Sequence, residues 1–110
     1  MKTYHLALDL KDDPDLIQKY INYHKKVWPE IIESIKEAGV ERMDIFNTGN
    51  RLFMVMEVHE DFSFERKSEL DLGNPKVQEW EGIMDALQQR IPGSPKGSKW
   101  VVMDKIFSLP

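Results

Sequence analysis

Glu41-Arg42-Met43-Asp44-Ile45-Phe46-Asn47-Thr48-Gly49-Asn50-Arg51-Leu52-Phe53-Met54-Val55-Met56-Glu57-Val58 is the stretch that decides the fold. Two runs, Glu41 to Thr48 and Arg51 to Val58, flank Thr48-Gly49-Asn50. Gly and Asn tolerate the positive φ of tight hairpin turns, so the stretch reads as two antiparallel strands. The second run, Leu52-Phe53-Met54-Val55-Met56, is apolar without alternation, and a strand apolar on both sides is covered on both. Helices can cover one side. The other then becomes an association surface, which a two-fold dimer stacking sheet on sheet buries economically.

Upstream, Tyr4, Leu6, Leu8 and Leu10 alternate within Thr3 to Leu10, a half-buried strand. Asp12-Asp13-Pro14 supplies a capping carboxylate and a first-turn proline, and so starts a helix. Its apolar stripe runs Ile17, Tyr20, Ile21, His24, Trp28, Ile31, Ile35 and closes at Ala38-Gly39. Pro29 lies inside that stripe; lacking an N–H, it predicts a kink or break near Val27-Trp28. Downstream, a short helix is expected over Ser63 to Leu70. A second main helix is expected from about Lys76 to Gln89, with Val77, Trp80, Met84 and Leu87 inward. A Pro-, Gly- and Ser-rich loop over Ile91 to Ser98 precedes a last strand, Trp100 to Phe107. The order β-α-β-β-α-β is the ferredoxin-like α+β arrangement with an antiparallel sheet, in one domain over 1–110.

Composition narrows the function. The chain has 110 residues, a formal charge of −4 and no cysteine. No basic stripe can neutralise phosphates, which argues against nucleic acid. No apolar run approaches the ~20 residues that cross a bilayer, and no signal-peptide pattern opens the sequence. Without cysteine a zinc site would rest on three scattered histidines and carboxylates. The chain therefore reads as cytoplasmic, with no membrane partner and no metal.

His24 stands on the apolar stripe, where a titratable ring is costly to bury unless something uses it. Tyr20 lies one turn earlier, so the phenol and the imidazole can reach the same volume. Together they form a proton-transfer site for a hydroxylated ligand; the plainer reading is a satisfied core histidine beside a packing aromatic. His5 and His59, on strands, have no converging partner in the sequence and read as surface or structural. Trp28 reads as a wedge before Pro29, and Lys25, Lys26 and the Asp61–Asp71 charges as solvated surface. Glu57, amid an apolar strand, reads as a buried partner for an arginine, a substrate anchor or an edge residue.

Tyr20-x3-His24-x3-Trp28-Pro29-Glu30, Gly39, Leu52-Phe53 with Glu57, Trp80-x3-Met84 and Phe107-x-Leu109-Pro110 together resemble the L-rhamnose mutarotase family across the whole chain. The resemblance implies a homodimeric α/β barrel of ferredoxin-like subunits. It would act without a cofactor and interconvert the α and β anomers of a 6-deoxyhexose. It also implies catalytic roles for His24 and Tyr20, and a substrate-binding set of Tyr20, Trp80, Glu81 and Met43. Two positions depart from the rhamnose-type pattern: Glu81 stands where a second tryptophan is usual, and Met43 where a tyrosine is. The catalytic pair is kept and the substrate wall altered, which opens L-fucose as the sugar.

The chemistry suits these residue types. Ring opening needs one proton placed on the ring oxygen and one taken from the anomeric hydroxyl. Imidazole, with an ordinary pKa of ~6.5, both gives and accepts near neutrality. Two readings of other classes share the architecture: a cofactor-free monooxygenase and a non-catalytic ligand-binding dimer. Polarity separates the first, since a flat aromatic substrate needs fewer converging hydrogen bonds than a sugar. The second needs no Tyr20–His24 pairing.

Overall fold

In the computed structural model residues 1–95 and 99–110 are described. The elements are β1 (Lys2–Leu10), α1 (Pro14–Lys25), α2 (Pro29–Glu37), β2 (Val40–Thr48), β3 (Arg51–Val58), α3 (Phe64–Leu72), α4 (Pro75–Asp85), β4 (Gln88–Gln89) and β5 (Val101–Val102). The sheet order is β2-β3-β1-β4, with β5 also on β1 beyond β4. Every pairing is antiparallel. This is the expected ferredoxin-like sheet, with each helical crossover broken into two segments.

Local chemistry sets the boundaries. Asp13 caps α1, its carboxylate accepting from the Asp15 and Leu16 amides at 2.9 and 3.4 Å. α1 ends at Lys25, three residues intervene, and α2 begins on Pro29. Trp28 holds ψ 137°, the extended region to which a following proline confines its neighbour. Gly39 adopts φ +99° after α2, a conformation that an L side chain resists. Asn50 serves the turn and β1 together: its carbonyl accepts from the Leu10 amide at 2.6 Å, and its side chain donates to the Leu10 carbonyl at 3.0 Å.

Leu6 and Leu8 of β1 oppose Met54 and Leu52 of β3 on the helix side, and these form the core with Leu10, Met56, Val58, Val77, Trp80, Met84 and Leu87. The other face carries His5, Ala7, Phe46, Phe53 and Val55. His5 stacks on Phe53 at 6.0 Å, Phe46 leans on Phe53 at 6.2 Å, and Phe46 is 55% exposed. Among the described residues no helix covers this face.

Four expectations are corrected. β1 is more than half-buried, since Leu6 through Leu10 are all buried; Asp9 tolerates this because Arg51 grips both its oxygens, at 2.6 and 3.1 Å. The second main helix stops at Asp85, and Gln88-Gln89 joins the sheet when Lys11 donates to the Leu87 carbonyl. The last strand shrinks from Trp100–Phe107 to Val101–Val102: β4 holds the β1 edge at Asp9 and Leu10 and so limits its start, and after the Met103 amide donates to the His5 carbonyl the chain leaves the sheet. His59 has a partner after all, Glu41 at 3.1 Å. Of the expected Ile91–Ser98 loop, residues 96–98 lie outside the described residues.

Removing Arg51 leaves Asp9 as a buried carboxylate without its cation. Arg51→Met is expected to destabilise the fold, read as a lower midpoint with an unchanged slope in urea unfolding.

Candidate active site

The break after α1 has a local result. His24 stands in the last turn of its helix, its ring over Tyr20, with centroids 4.3 Å apart and planes 28° from parallel. His24 Nδ1 lies 2.8 Å from the Tyr20 carbonyl oxygen. That oxygen can only accept, so Nδ1 carries a proton, which leaves Nε2 as the ring nitrogen able to give or take the second one.

The Tyr20 phenol is buried, with the Gln88 side chain beside it on the cavity wall. Desolvation pushes its pKa up to about 12, and the Gln88 side chain opposes this with a smaller downward pull. Tyr20 therefore stays a neutral phenol through the physiological range, able to donate and accept a hydrogen bond.

Trp80 stands edge-on to three rings: His24 at 5.6 Å, Tyr23 at 5.9 Å and Trp28 at 5.1 Å. Trp28 in turn carries the Lys76 ammonium over its face at 5.4 Å. The wedge expected of Trp28 is thus visible: it braces Trp80 from outside the cavity.

Between the helices and the sheet lies a cavity of ≈ 890 Å³. Tyr20, His24, Met43, Trp80 and Glu81, scattered over sixty residues of sequence, all line it. A smaller recess of ≈ 340 Å³ adjoins it through Tyr20 and His24, between α1 and β2, with Lys25, Ile45 and Asn47 at its rim. Lys25, expected as plain surface, is therefore a rim residue. Glu57 points to the opposite face of the sheet and does not join the cavity.

Sequence reasoning missed Gln88, Trp100 and the Lys67–Asp71 ion pair (2.6 Å), all on the cavity wall. Gln88 was hidden because it continued a helical pattern. Lys67 and Asp71 looked like solvated charges, though their i, i+4 spacing was the available signal. Aliphatic and methionine side chains make up much of the wall, and polar groups line it from both helical crossovers, from Glu41 and Arg42 of β2 and from β4.

A model of the L-rhamnose mutarotase family matches residues 3–109. The chain belongs to that family. It is 42% identical to an L-fucose mutarotase of Xanthomonas campestris pv. campestris, over 99% of this chain and 89% of that protein. An L-rhamnose mutarotase of Burkholderia ambifaria is 29% identical over 96% of this chain and 97% of its own length. The crystal structure of an L-rhamnose mutarotase from Formosa agariphila superposes with a TM-score of 0.70 at 23% identity, each chain fully covered, which establishes the shared fold. Family membership disfavours the monooxygenase reading, which had rested on architecture alone.

The raised Tyr20 pKa gives a direct test. A phenol more acidic when unfolded (about 10) than when folded (about 12) contributes stability that is complete below pH 10 and is lost as pH rises through 12. Tyrosinate absorbance of the native protein is expected to show a late-titrating phenol near pH 12 that Tyr20→Phe removes. A Tyr20→Phe titration identical to wild type would refute the burial argument.

Proposed function

We propose that this chain is an aldose 1-epimerase, a mutarotase that interconverts the α and β anomers of a 6-deoxyhexose through ring opening and closure. The observation that carries the reading is one cavity in which an imidazole with a free Nε2, a neutral buried phenol and an indole converge in a chain of this family.

His24 is the proposed acid/base. Its Nε2 takes the anomeric hydroxyl proton as the C1–O5 bond breaks, and O5 receives a proton, giving the open aldehyde. Rotation about C1–C2 presents the other carbonyl face, and the same transfers in reverse close the ring. Tyr20, neutral and steadied by Gln88, holds a hydroxyl or passes the proton to O5. Trp80 offers an apolar surface to the C–H side and methyl group of the sugar. Met43 and Glu81 complete the proposed substrate wall. The sequence of transfers calls for no cofactor, because each proton taken is returned.

Positioned acid/base catalysis contributes roughly 10²–10⁴-fold. His24→Ala is expected to lose an acceleration of that order while keeping the fold, and Tyr20→Phe to lose less. Saturation-transfer NMR on equilibrated sugars measures both; near-wild-type exchange in folded His24→Ala would remove His24 from the mechanism.

For the sugar we favour L-fucose over L-rhamnose. The greater identity to the fucose enzyme supports this, as does Glu81, a carboxylate that can accept from a pair of hydroxyls where an aromatic is usual. A polar group left unpaired by the wrong epimer discriminates more strongly than an apolar wall. Glu81→Trp is expected to shift relative kcat/KM toward L-rhamnose. An unchanged ranking would place substrate choice elsewhere.

The assembly we propose is a homodimer, with the uncovered sheet faces stacked as a two-fold α/β barrel, working as one domain in the cytoplasm. The Phe46–Phe53–His5 cluster on that face, with Phe46 55% exposed, supports its burial.

A further inference from the structure

α3 is inverted relative to an ordinary amphipathic helix. It leaves Leu70 and Leu72 38% and 71% exposed, and turns Lys67 and Asp71 inward, with side chains only 23% and 11% exposed. The other charges of the helix, Glu65, Arg66 and Glu69, stay in water. Two charges taken out of water cost about as much as their attraction returns, and apolar residues of similar volume in their place are often neutral for stability or better. Leucines flank Asp71 on both sides, yet the carboxylate is the group turned in. Stability alone does not explain the pair.

Its unused bonding capacity points to a ligand. Lys67 Nζ donates to Asp71 Oδ2 at 2.6 Å, and an ammonium has two further protons to give. Among the described residues Asp71 Oδ1 has no partner, yet no buried side-chain nitrogen or oxygen lacks one, so this oxygen opens onto accessible space. Both residues line the ≈ 890 Å³ cavity. A charged donor and a charged acceptor in contact on one wall match two adjacent hydroxyls, one accepting from the ammonium and one donating to the carboxylate. The cavity's charges also balance: Lys36, Arg42 and Lys67 are matched by Glu41, Asp71 and Glu81. That balance suits a neutral polyol better than a sugar phosphate.

α4 sets the pair's place relative to His24. The Asp71 carbonyl accepts from the Asn74 amide at 3.2 Å and from the Gln78 side chain at 2.8 Å, which ties it to the first turn of α4. Trp80 and Glu81 follow on the next turn, and Trp80 meets His24 at 5.6 Å. The pair and the proposed acid/base thus meet the cavity about one turn of α4 apart, ~5 Å of rise. In a pyranose the bond directly across the ring from C1–O5 is C3–C4. With C1–O5 held at His24 and Tyr20, the hydroxyls on the far side are O3 and O4.

We propose that Lys67 and Asp71 bind the 3,4-diol of the sugar and so read the configuration at C4. The inference rests on the mutarotase reading above and on its choice of L-fucose. In L-fucose O4 is axial and cis to O3; in L-rhamnose and in 6-deoxy-L-glucose O4 is equatorial and trans to O3. Trp80 fixes the plane of the ring, so the direction of O4 decides whether it reaches the pair. The wrong epimer leaves a desolvated charge without its hydroxyl, which is a larger penalty than a poor fit against an apolar wall. Recognition is then divided: Tyr20 and His24 hold the end that opens, and α3 reads the end that does not.

The test pairs one double variant with two sugars. Lys67→Met/Asp71→Leu puts apolar side chains of similar volume in place of the pair, and 6-deoxy-L-glucose differs from L-fucose at C4 alone. Anomer exchange by saturation transfer and binding by calorimetric titration are measured for both. Wild type is expected to favour L-fucose by at least about tenfold. The double variant is expected to keep or raise its urea midpoint and to bring the two sugars within about threefold, the loss falling on KM because the pair is remote from the bond that breaks. Asp71→Asn, which keeps the side chain's volume, is expected to move the ranking the same way, and it decides the matter if the double variant does not fold. A folded variant that keeps the wild-type preference overturns the proposal and leaves the mutarotase reading standing, as does a wild type indifferent to C4. A binding preference that the variant loses, with neither sugar exchanged by wild type, supports the diol site and overturns the mutarotase reading instead.

Discussion

Pro29 has no N–H to give the Lys25 carbonyl, and its ring crowds the turn before it, so one continuous helix over the sheet is forbidden. The rest of the structure depends on that constraint. α1 stops one residue after His24, the chain crosses three residues, and α2 restarts in a new direction. An unbroken amphipathic helix would lay its stripe flat on the sheet and fill the space beneath. The broken one leaves a cavity, puts His24 at its wall, and turns Trp28 against the back of Trp80. The placement of the proposed acid/base begins as a missing hydrogen bond.

Much of this was legible in the residues. The hairpin, the cap at Asp13, the break before Pro29 and the glycine after α2 each follow from a strong local preference that tertiary packing had no reason to override. Tyr20 and His24 meet because an i, i+4 spacing on one helix is itself a geometric statement. What stayed hidden was set at a distance. Gln88 continues a helical pattern, and only the Lys11–Leu87 backbone bond, linking segments far apart in sequence, draws it into the sheet and onto the phenol. The last strand was overread for a related reason. Trp100 to Phe107 has the composition of a strand, but composition does not say which chain will pair with it. Asp9 looked like the polar side of an alternating strand, and its burial depends on Arg51 across the sheet.

The cavity joins two kinds of wall. Aliphatic and methionine side chains of β1, β2 and β3 give it much of its shape, while polar groups come from the helices, from β4 and from Glu41 and Arg42 at the start of β2. Rigid strands thus fix the volume, and residues at helix ends and on a two-residue strand fix the chemistry. Met43 and Glu81, proposed as substrate wall, enter from β2 and α4 and not from the helix that holds the Tyr20–His24 stack. The two departures from the rhamnose-type pattern fall at those positions.

The chain has three tryptophans: Trp80 and Trp100 line the cavity, and Trp28 lies against Trp80. None is far enough from the site to report on something else. Indole emission responds to local polarity and is quenched by a nearby imidazolium, and His24 sits edge-on to Trp80. The molecule therefore carries its own optical probe: unlabelled fluorescence follows both occupancy of the cavity and the charge on the ring proposed to move the proton.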